Sequence, residues 1–139
     1  MTDSVSPALI PCTDEALQRI IGNPDGPDAD PGACDLCRSI PHTCRLLHIP
    51  SRDASYGGYP AAFARLHDLV VVSYFRTVKR CPECGGLYLD EYHSEYLAGG
   101  SEDEYTLTRL SRREALALLE GQGAPHLLWR EGRWELAWG

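Results

Sequence analysis

The sequence has neither a long apolar run nor an excess of basic residues, and each absence excludes a class of protein. The densest apolar run in the 139 residues is the LVVV segment at positions 69–72, far short of the ~20 residues that a membrane-spanning helix needs. Lys and Arg together number 13 against 20 Asp and Glu, which gives a formal charge of -7. Because nucleic-acid binding requires a basic face, a general affinity for nucleic acid is not expected.

The sequence signatures of the common enzyme families are missing as well. There is no nucleophile elbow, phosphate-binding loop, dinucleotide fingerprint, EF-hand loop or HExxH pair. His93 lies between Glu91 and Glu95 in a predicted strand, where the three side chains are expected to form a solvated face rather than an acid–base site. We therefore expect a protein without enzymatic activity, and no residue is assigned a catalytic role.

What the sequence does contain is the composition of one globular domain. Hydrophobic residues make up 43% of the chain and charged residues 24%, close to the average for folded proteins. No internal repeat or long linker divides it, so we expect a single domain over residues 1–139, with residues 1–12 flexible. Residues 1–11 contain no Lys or Arg and no apolar segment of signal-peptide length, which favours a cytoplasmic location.

The local patterns predict an α+β fold, an antiparallel β-meander with two or three short helices and a knuckle similar to a zinc ribbon. Thr13 is a candidate N-cap for a first helix, and Ser111 with Glu114 forms a capping box that introduces a helix over residues 112–120. Glu131-Gly132 is typical of a two-residue hairpin turn. The predicted strands cover residues 69–78, 87–97, 105–110, 127–130 and 133–138.

Four of the six cysteines form two CxxC pairs, Cys34 with Cys37 and Cys81 with Cys84. A CxxC turn holds both sulfurs on one side of a tight loop, where they can supply two corners of a zinc tetrahedron. The second pair lies in a CPxCG segment, whose glycine lets backbone amides approach the thiolates. Because cytoplasmic cysteines rarely form disulfides, the sequence predicts a structural zinc ion (Zn²⁺) bound by these four residues.

Three alternatives to this ligand set stay open. A redox-active CxxC requires its first cysteine at a helix N-terminus, and the strand pattern after Gly86 argues against that for the second pair. One ligand is replaceable by Cys44, His42 or His48, which follow the first pair closely. The third alternative is that cysteines are buried as free thiols, and this is the interpretation that we prefer for Cys12 and Cys44.

The charges divide into alternating segments along the chain. Residues 1–37 contain seven acidic side chains and one basic, residues 38–80 two acidic and seven basic, and residues 81–110 again seven acidic and one basic. Arg38, Lys79 and Arg80 adjoin the cysteine pairs and are expected to neutralise part of the negative charge of a zinc–thiolate centre.

The third segment is predicted to form an acidic, tyrosine-lined edge that binds another protein. Aromatic side chains beside charged ones are typical of interface anchors, although a solvated hairpin explains the same pattern. The predicted partner-binding residues are Tyr88, Asp90, Glu91, Tyr92, Glu95, Glu102, Asp103 and Glu104. The alternative function is binding of nucleic acid by the basic segment, through Arg65, Arg76, Lys79 and Arg80.

From Cys81 onward the segment CPECGGLYLDEYHSEYLAGGSEDEYTLTRLS resembles small bacterial zinc-knuckle proteins. In these proteins a CPxCG is followed by a Tyr-rich strand, a Gly-Gly-Ser-Glu-Asp-Glu loop and a Leu-x-Arg-Leu ending. The resemblance covers about thirty residues and implies no particular activity. A small, acidic, single-domain chain is also similar to bacterial immunity proteins, which neutralise toxins by covering them. This likeness implies a non-enzymatic inhibitor whose acidic edge covers a basic toxin surface.

Overall fold

The computed structural model of the protein describes residues 8–30, 33–40, 43–47, 61–97 and 100–138, with side chains described over 8–30, 33–40, 63–92 and 106–138. These residues form one eight-stranded sheet with three α-helices and a 3-10 helix at Ala61–Arg65. The strands are β1 Ala8–Pro11, β2 Thr43–Leu47, β3 His67–Ser73, β4 Arg76–Arg80, β5 Leu87–Leu97, β6 Gly100–Leu110, β7 His126–Arg130 and β8 Arg133–Ala137. The helices are α1 Asp14–Ile21, α2 Asp35–Arg38 and α3 Arg112–Gly121.

The sheet is mostly antiparallel, but it is a meander only in its central part. Strand β3 pairs with β4, β4 with β5, and β5 with β6. The full strand order is β1-β7-β8-β3-β4-β5-β6-β2. The prediction of a simple meander is wrong for the rest, since β8 pairs with β3 in parallel, with Val70 opposite Trp134. Helix α3 joins β6 to β7, and this crossover delivers the β7–β8 hairpin to the free edge of β3.

Two predicted boundaries are corrected by the structure. The predicted strand over residues 69–78 is two strands, because the chain turns at Tyr74-Phe75 between β3 and β4. Residues 8–11, predicted to be flexible, form the edge strand β1, which pairs with β7. Residues 1–7 lie outside the described part of the chain.

The elements with local sequence signals agree with the predictions. The Thr13 hydroxyl accepts a hydrogen bond from the amide of Ala16 at 3.1 Å, and Ser111 forms the capping box with Glu114 at the start of α3. Strand β5 has the predicted bounds. The β7–β8 turn has positive φ angles at Glu131 (54°) and Gly132 (82°), as a two-residue hairpin of the favoured twist requires.

The sheet separates two hydrophobic cores, because successive residues of a strand point to opposite faces. One face packs against α1 and α3, and its buried residues include Leu17, Val70, Val78, Leu89, Leu116, Leu119 and Leu127. The other face packs against α2 and the 3-10 helix, and its buried residues include Leu36, Ile40, Phe63, Leu66, Tyr88 and Leu107. Three of the predicted metal ligands belong to this second core. Among the described helices, none combines the length and apolar character needed to cross a membrane.

Candidate metal centre

The four predicted cysteines come together on the second face of the sheet. Cys34 immediately precedes α2 and Cys37 lies within it, whereas Cys81 and Cys84 occupy the turn between β4 and β5. Their four sulfur atoms all lie within 4.8 Å of one another. Cys34, Cys37 and Cys81 are buried, and Cys84 is half-buried. The prediction that these residues form one cluster is therefore confirmed, across a separation of more than forty residues.

The sulfur–sulfur distances suit a metal ion better than any bond among the cysteines. The Sγ atoms of Cys34 and Cys81 are 3.8 Å apart, and those of Cys37 and Cys84 are 3.5 Å apart. A disulfide would require ~2.05 Å. A tetrahedral zinc ion with Zn–S bonds of ~2.3 Å requires sulfurs about 3.8 Å apart. The cluster thus has the ligand type, number and spacing of a tetrahedral thiolate site.

The CPxCG segment folds into a tight turn around its two sulfur atoms. The amide of Gly85 donates to the Cys81 carbonyl at 2.9 Å, and Gly85 has a φ of 80°, a conformation that favours glycine. The amide of Glu83 lies 3.4 Å from the Cys81 sulfur, and the amide of Gly86 lies 3.4 Å from the Cys84 sulfur. Such N–H···S contacts stabilise thiolates, so the backbone is arranged for charged sulfur ligands.

Arg109, which is not among the predicted site residues, contacts the cluster from β6. Its Nη1 atom lies 3.5 Å from the Cys37 sulfur and donates to the Tyr88 hydroxyl at 3.1 Å, while Nη2 donates to the Ala29 carbonyl at 2.7 Å. Only 9% of Arg109 is exposed, so a full positive charge lies in the core beside the thiols. The register of β5 with β6 places Arg109 directly opposite Tyr88, and the sequence alone does not encode this pairing.

Gly86 makes room for this arginine. A Cβ atom built at residue 86 would lie 2.6 Å from both Nη atoms of Arg109, closer than any real contact. The second glycine after the CxxC is therefore needed for the guanidinium, not for the turn itself.

Glu83 links the cluster to the surface. Its carboxylate accepts a hydrogen bond from Arg65 at 2.7 Å, and its other oxygen lies 3.9 Å from the Cys34 sulfur. This ion pair orients the side chain of Glu83, the second of the two residues between Cys81 and Cys84.

Burial and hydrogen bonding set the pKa values of the thiols in the cluster. Burial raises the pKa of Cys81, and it raises the pKa of Cys84 to about 12. Burial acts in the same direction on Cys37, but hydrogen bonds with Tyr88 and the neighbouring thiols outweigh it and lower the pKa of Cys37. A metal ion must therefore displace protons from Cys81 and Cys84 when it binds.

Two of the three basic residues that were expected to neutralise the cluster have other partners. Arg38 forms an ion pair with Asp35, and Lys79 pairs with Asp68 at 2.9 Å and lies 3.9 Å from Asp90. The buried cation at the cluster is Arg109 instead. The expectation failed for Lys79 because the flanking strands β3 and β5 supply two nearby carboxylates, Asp68 and Asp90, as its partners.

The predicted acidic edge is only partly exposed. Tyr88 and Asp90 are buried, with 1% and 3% of their surfaces exposed, so placing them on an exposed edge was wrong. Glu91 lies 3.4 Å from Arg76 in an ion pair across β4 and β5, and Tyr92 packs against Phe75. For the other predicted residues, Glu95, Glu102, Asp103 and Glu104, the structure describes the backbone of the β5–β6 hairpin and not the side chains.

The predicted basic segment is largely neutralised by carboxylates. Arg65 pairs with Glu83, Arg76 with Glu91, and Lys79 with Asp68. It does not present the run of free cations that nucleic-acid binding through this segment would need.

The alternative ligands fall outside what the structure describes. His42 and His48 lie outside the described residues, and for Cys44 only the backbone of β2 is described. Cys12 packs against the helix-covered core, away from the cluster.

Comparisons of the chain with protein-family models, with curated proteins and with solved structures find no match. The resemblance to zinc-knuckle proteins therefore stays a prediction.

Proposed function

We propose that the protein is a non-enzymatic interaction module whose fold is stabilised by a zinc ion bound to Cys34, Cys37, Cys81 and Cys84. The observation that supports this most strongly is the cluster of four sulfurs, all within 4.8 Å of one another. Four thiolates complete a tetrahedral shell and leave no open position for water or substrate, which favours a structural over a catalytic role. Structural zinc sites in small modules contribute about 10–16 kcal/mol of apparent binding free energy.

An aromatic tip, formed by Tyr74, Phe75 and Tyr92, is the surface we propose to bind another protein. Tyr74 is 92% exposed and Phe75 is 48% exposed at the β3–β4 turn. Their ring centroids are 4.7 Å apart, and the rings of Phe75 and Tyr92 are 5.6 Å apart. Exposed aromatic clusters on a rigid strand turn are the residues that most often anchor protein interfaces.

The charge around the aromatic tip supports a basic partner. Tyr92 lies on β5, whose continuation places Glu95 opposite Glu102 in the register with β6. Like charges directly opposite one another destabilise a strand pair. A basic partner surface would relieve that repulsion, so we propose an immunity or inhibitor role in which this end of the sheet covers a basic protein such as a toxin.

The zinc proposal is tested by replacing one ligand and one unrelated cysteine. We expect Cys81→Ser to lower bound zinc, measured by native mass spectrometry, and the melting temperature together. Cys12→Ser serves as the matched control, since Cys12 packs in the other core and should leave zinc content unchanged. One zinc ion retained by Cys81→Ser with wild-type affinity would contradict the ligand assignment.

The partner proposal is tested by quantitative affinity capture at low and high salt. We expect a basic protein to bind the wild type and to be lost from the Tyr74→Ser/Phe75→Ser variant, with weaker binding at high salt. Trp138→Ser removes an exposed aromatic residue from β8's end and is the control that should retain the partner. Capture that is equal for the wild type and the tip variant would refute this surface.

A further inference from the structure

A groove of about 430 Å³ lies where α1 meets the start of β3, the end of β4 and the β7–β8 hairpin. Its volume falls within the range of small-ligand sites in proteins. It is lined by residues from five elements, α1, β3, β4, β7 and β8, so its shape depends on how these elements pack together rather than on one loop. Neither the metal cluster nor the aromatic tip contributes to it.

Two basic side chains of the groove have no acidic partner among the described residues. Arg80 and His67 lie opposite each other in the β3–β4 register and both line the groove. Within the part of the chain that the structure describes, neither side chain forms an ion pair or a hydrogen bond. Arg19 lines the groove from α1 and pairs with Glu15 at 2.7 Å, but both side chains remain about three-quarters exposed. Such an exposed pair contributes little and leaves Arg19 available.

The one carboxylate in the groove is already compensated. Asp68 pairs with Lys79 at 2.9 Å and lies 3.6 Å from Arg133. Among the residues that line the groove, the two arginines Arg19 and Arg80 outnumber the single carboxylate of Asp68, in a protein whose formal net charge is -7. The sequence offered four basic residues as a possible nucleic-acid-binding segment. Three of them form ion pairs with carboxylates, namely Arg65, Arg76 and Lys79. The fourth, Arg80, lines the groove.

Two tryptophans form the apolar part of the groove. The rings of Trp129 and Trp134 meet edge to face, with centroids 5.2 Å apart, and both residues are half-buried. Ile20 of α1 lines the same groove. Indole rings beside arginine side chains provide a flat apolar contact next to donors that bind oxyanions in a bidentate manner.

We infer that this groove binds a small ligand in which a carboxylate or phosphate group is attached to a planar ring. Arg80, with His67 beside it, contacts the anionic group, and Trp129 and Trp134 contact the ring. Neither contact depends on the zinc centre or on the aromatic tip, so this inference stands or fails separately from the proposed function.

Tryptophan fluorescence of the full chain tests the inference directly. In a Trp138→Phe background, which removes the exposed third tryptophan, the protein is titrated at constant ionic strength with phenyl phosphate, benzoate, inorganic phosphate and phenol. We expect a saturable change with phenyl phosphate or benzoate, and whichever binds tighter identifies the anion. Inorganic phosphate and phenol, which each lack one half of the ligand, should bind at least about tenfold more weakly.

A matched pair of arginine variants assigns the binding to the groove. Arg80→Gln should weaken binding about tenfold or more, because it removes the charge-assisted hydrogen bonds while keeping an exposed polar residue. Arg113→Gln removes another exposed arginine, which lies in α3 outside the groove, and should leave the dissociation constant unchanged. The inference is overturned if neither ring-bearing anion gives a saturable change, or if Arg80→Gln binds as the unmodified background does.

Discussion

At the scale of single residues, Arg109 connects the cysteine cluster to the rest of the protein. Its guanidinium contacts the Cys37 sulfur, the Tyr88 hydroxyl and the Ala29 carbonyl, which belong to three separate segments. A four-thiolate zinc site has a net charge of -2, and a buried arginine beside one sulfur stabilises that charge. Without a metal, the protonated thiols of Cys81 and Cys84 do not offset the charge of this buried arginine, which favours metal binding.

Removing this arginine should weaken zinc binding without removing a ligand. We expect Arg109→Met to lower zinc affinity about 10- to 100-fold, the usual effect of losing a residue that supports the ligands. Competition with a chromophoric chelator measures the change. Gly86→Ala should act in the same direction, because its Cβ would lie 2.6 Å from the guanidinium. Arg113→Met is the control, and equal affinity for wild type and Arg109→Met would contradict the role assigned to Arg109.

The raised pKa values of Cys81 and Cys84 predict a pH dependence of zinc binding. At neutral pH these two buried thiols are protonated in the metal-free protein, and zinc must release both protons. Protons therefore compete with zinc, and binding weakens as the pH falls. With at least these two protons released, the apparent affinity should rise at least about a hundredfold per pH unit between pH 6 and 8. Zinc-buffer titrations measure this slope, and an affinity independent of pH would show that the thiols are already ionised.

At the scale of helices and strands, the sequence was informative wherever the signal was local. The caps at Thr13 and Ser111 and the alternation along β5 depend on residues that are near neighbours in the chain. The turn at Tyr74-Phe75 was missed because aromatic residues favour strands and no Gly or Pro marks it. These two rings are exposed because the β3–β4 turn lies at one end of the strands in the folded sheet. The local sequence pattern does not encode that position.

The capping box of α3 gives a prediction at this scale. Ser111 accepts a hydrogen bond from the Glu114 amide at 3.0 Å, and the Glu114 carboxylate accepts one from the Ser111 amide at 2.7 Å. Ser111→Ala should lower the free energy of unfolding by about 1 kcal/mol, measured by urea denaturation. Ser73→Ala, at an exposed serine ending β3, should change it far less. A loss no larger than that of Ser73→Ala would mean that packing alone holds this helix.

At the scale of the whole molecule, one sheet supports two cores that differ in how they are stabilised. Helices α1 and α3 cover one face with aliphatic side chains, whereas the other face is closed by α2, the 3-10 helix and the cysteine cluster. The grouping of the four cysteines was predictable because the CxxC spacing encodes the metal chemistry. The parallel pairing of β3 with β8, the edge strand β1 and the position of Arg109 were not, since each depends on how segments far apart in sequence pack.

Because the two cores share strands but differ in chemistry, a substitution in the helix-covered core and removal of the metal from the other core should have different measurable effects. Leu127 is fully buried in the helix-covered core, so Leu127→Ala should lower the free energy of unfolding by about 2–5 kcal/mol while zinc stoichiometry stays unchanged. Removing zinc with a chelator should instead increase hydrogen exchange first in residues 34–40 and 81–88, which border the cluster. Exchange rising equally on both faces after chelation would show that the sheet couples the two cores into one cooperative unit.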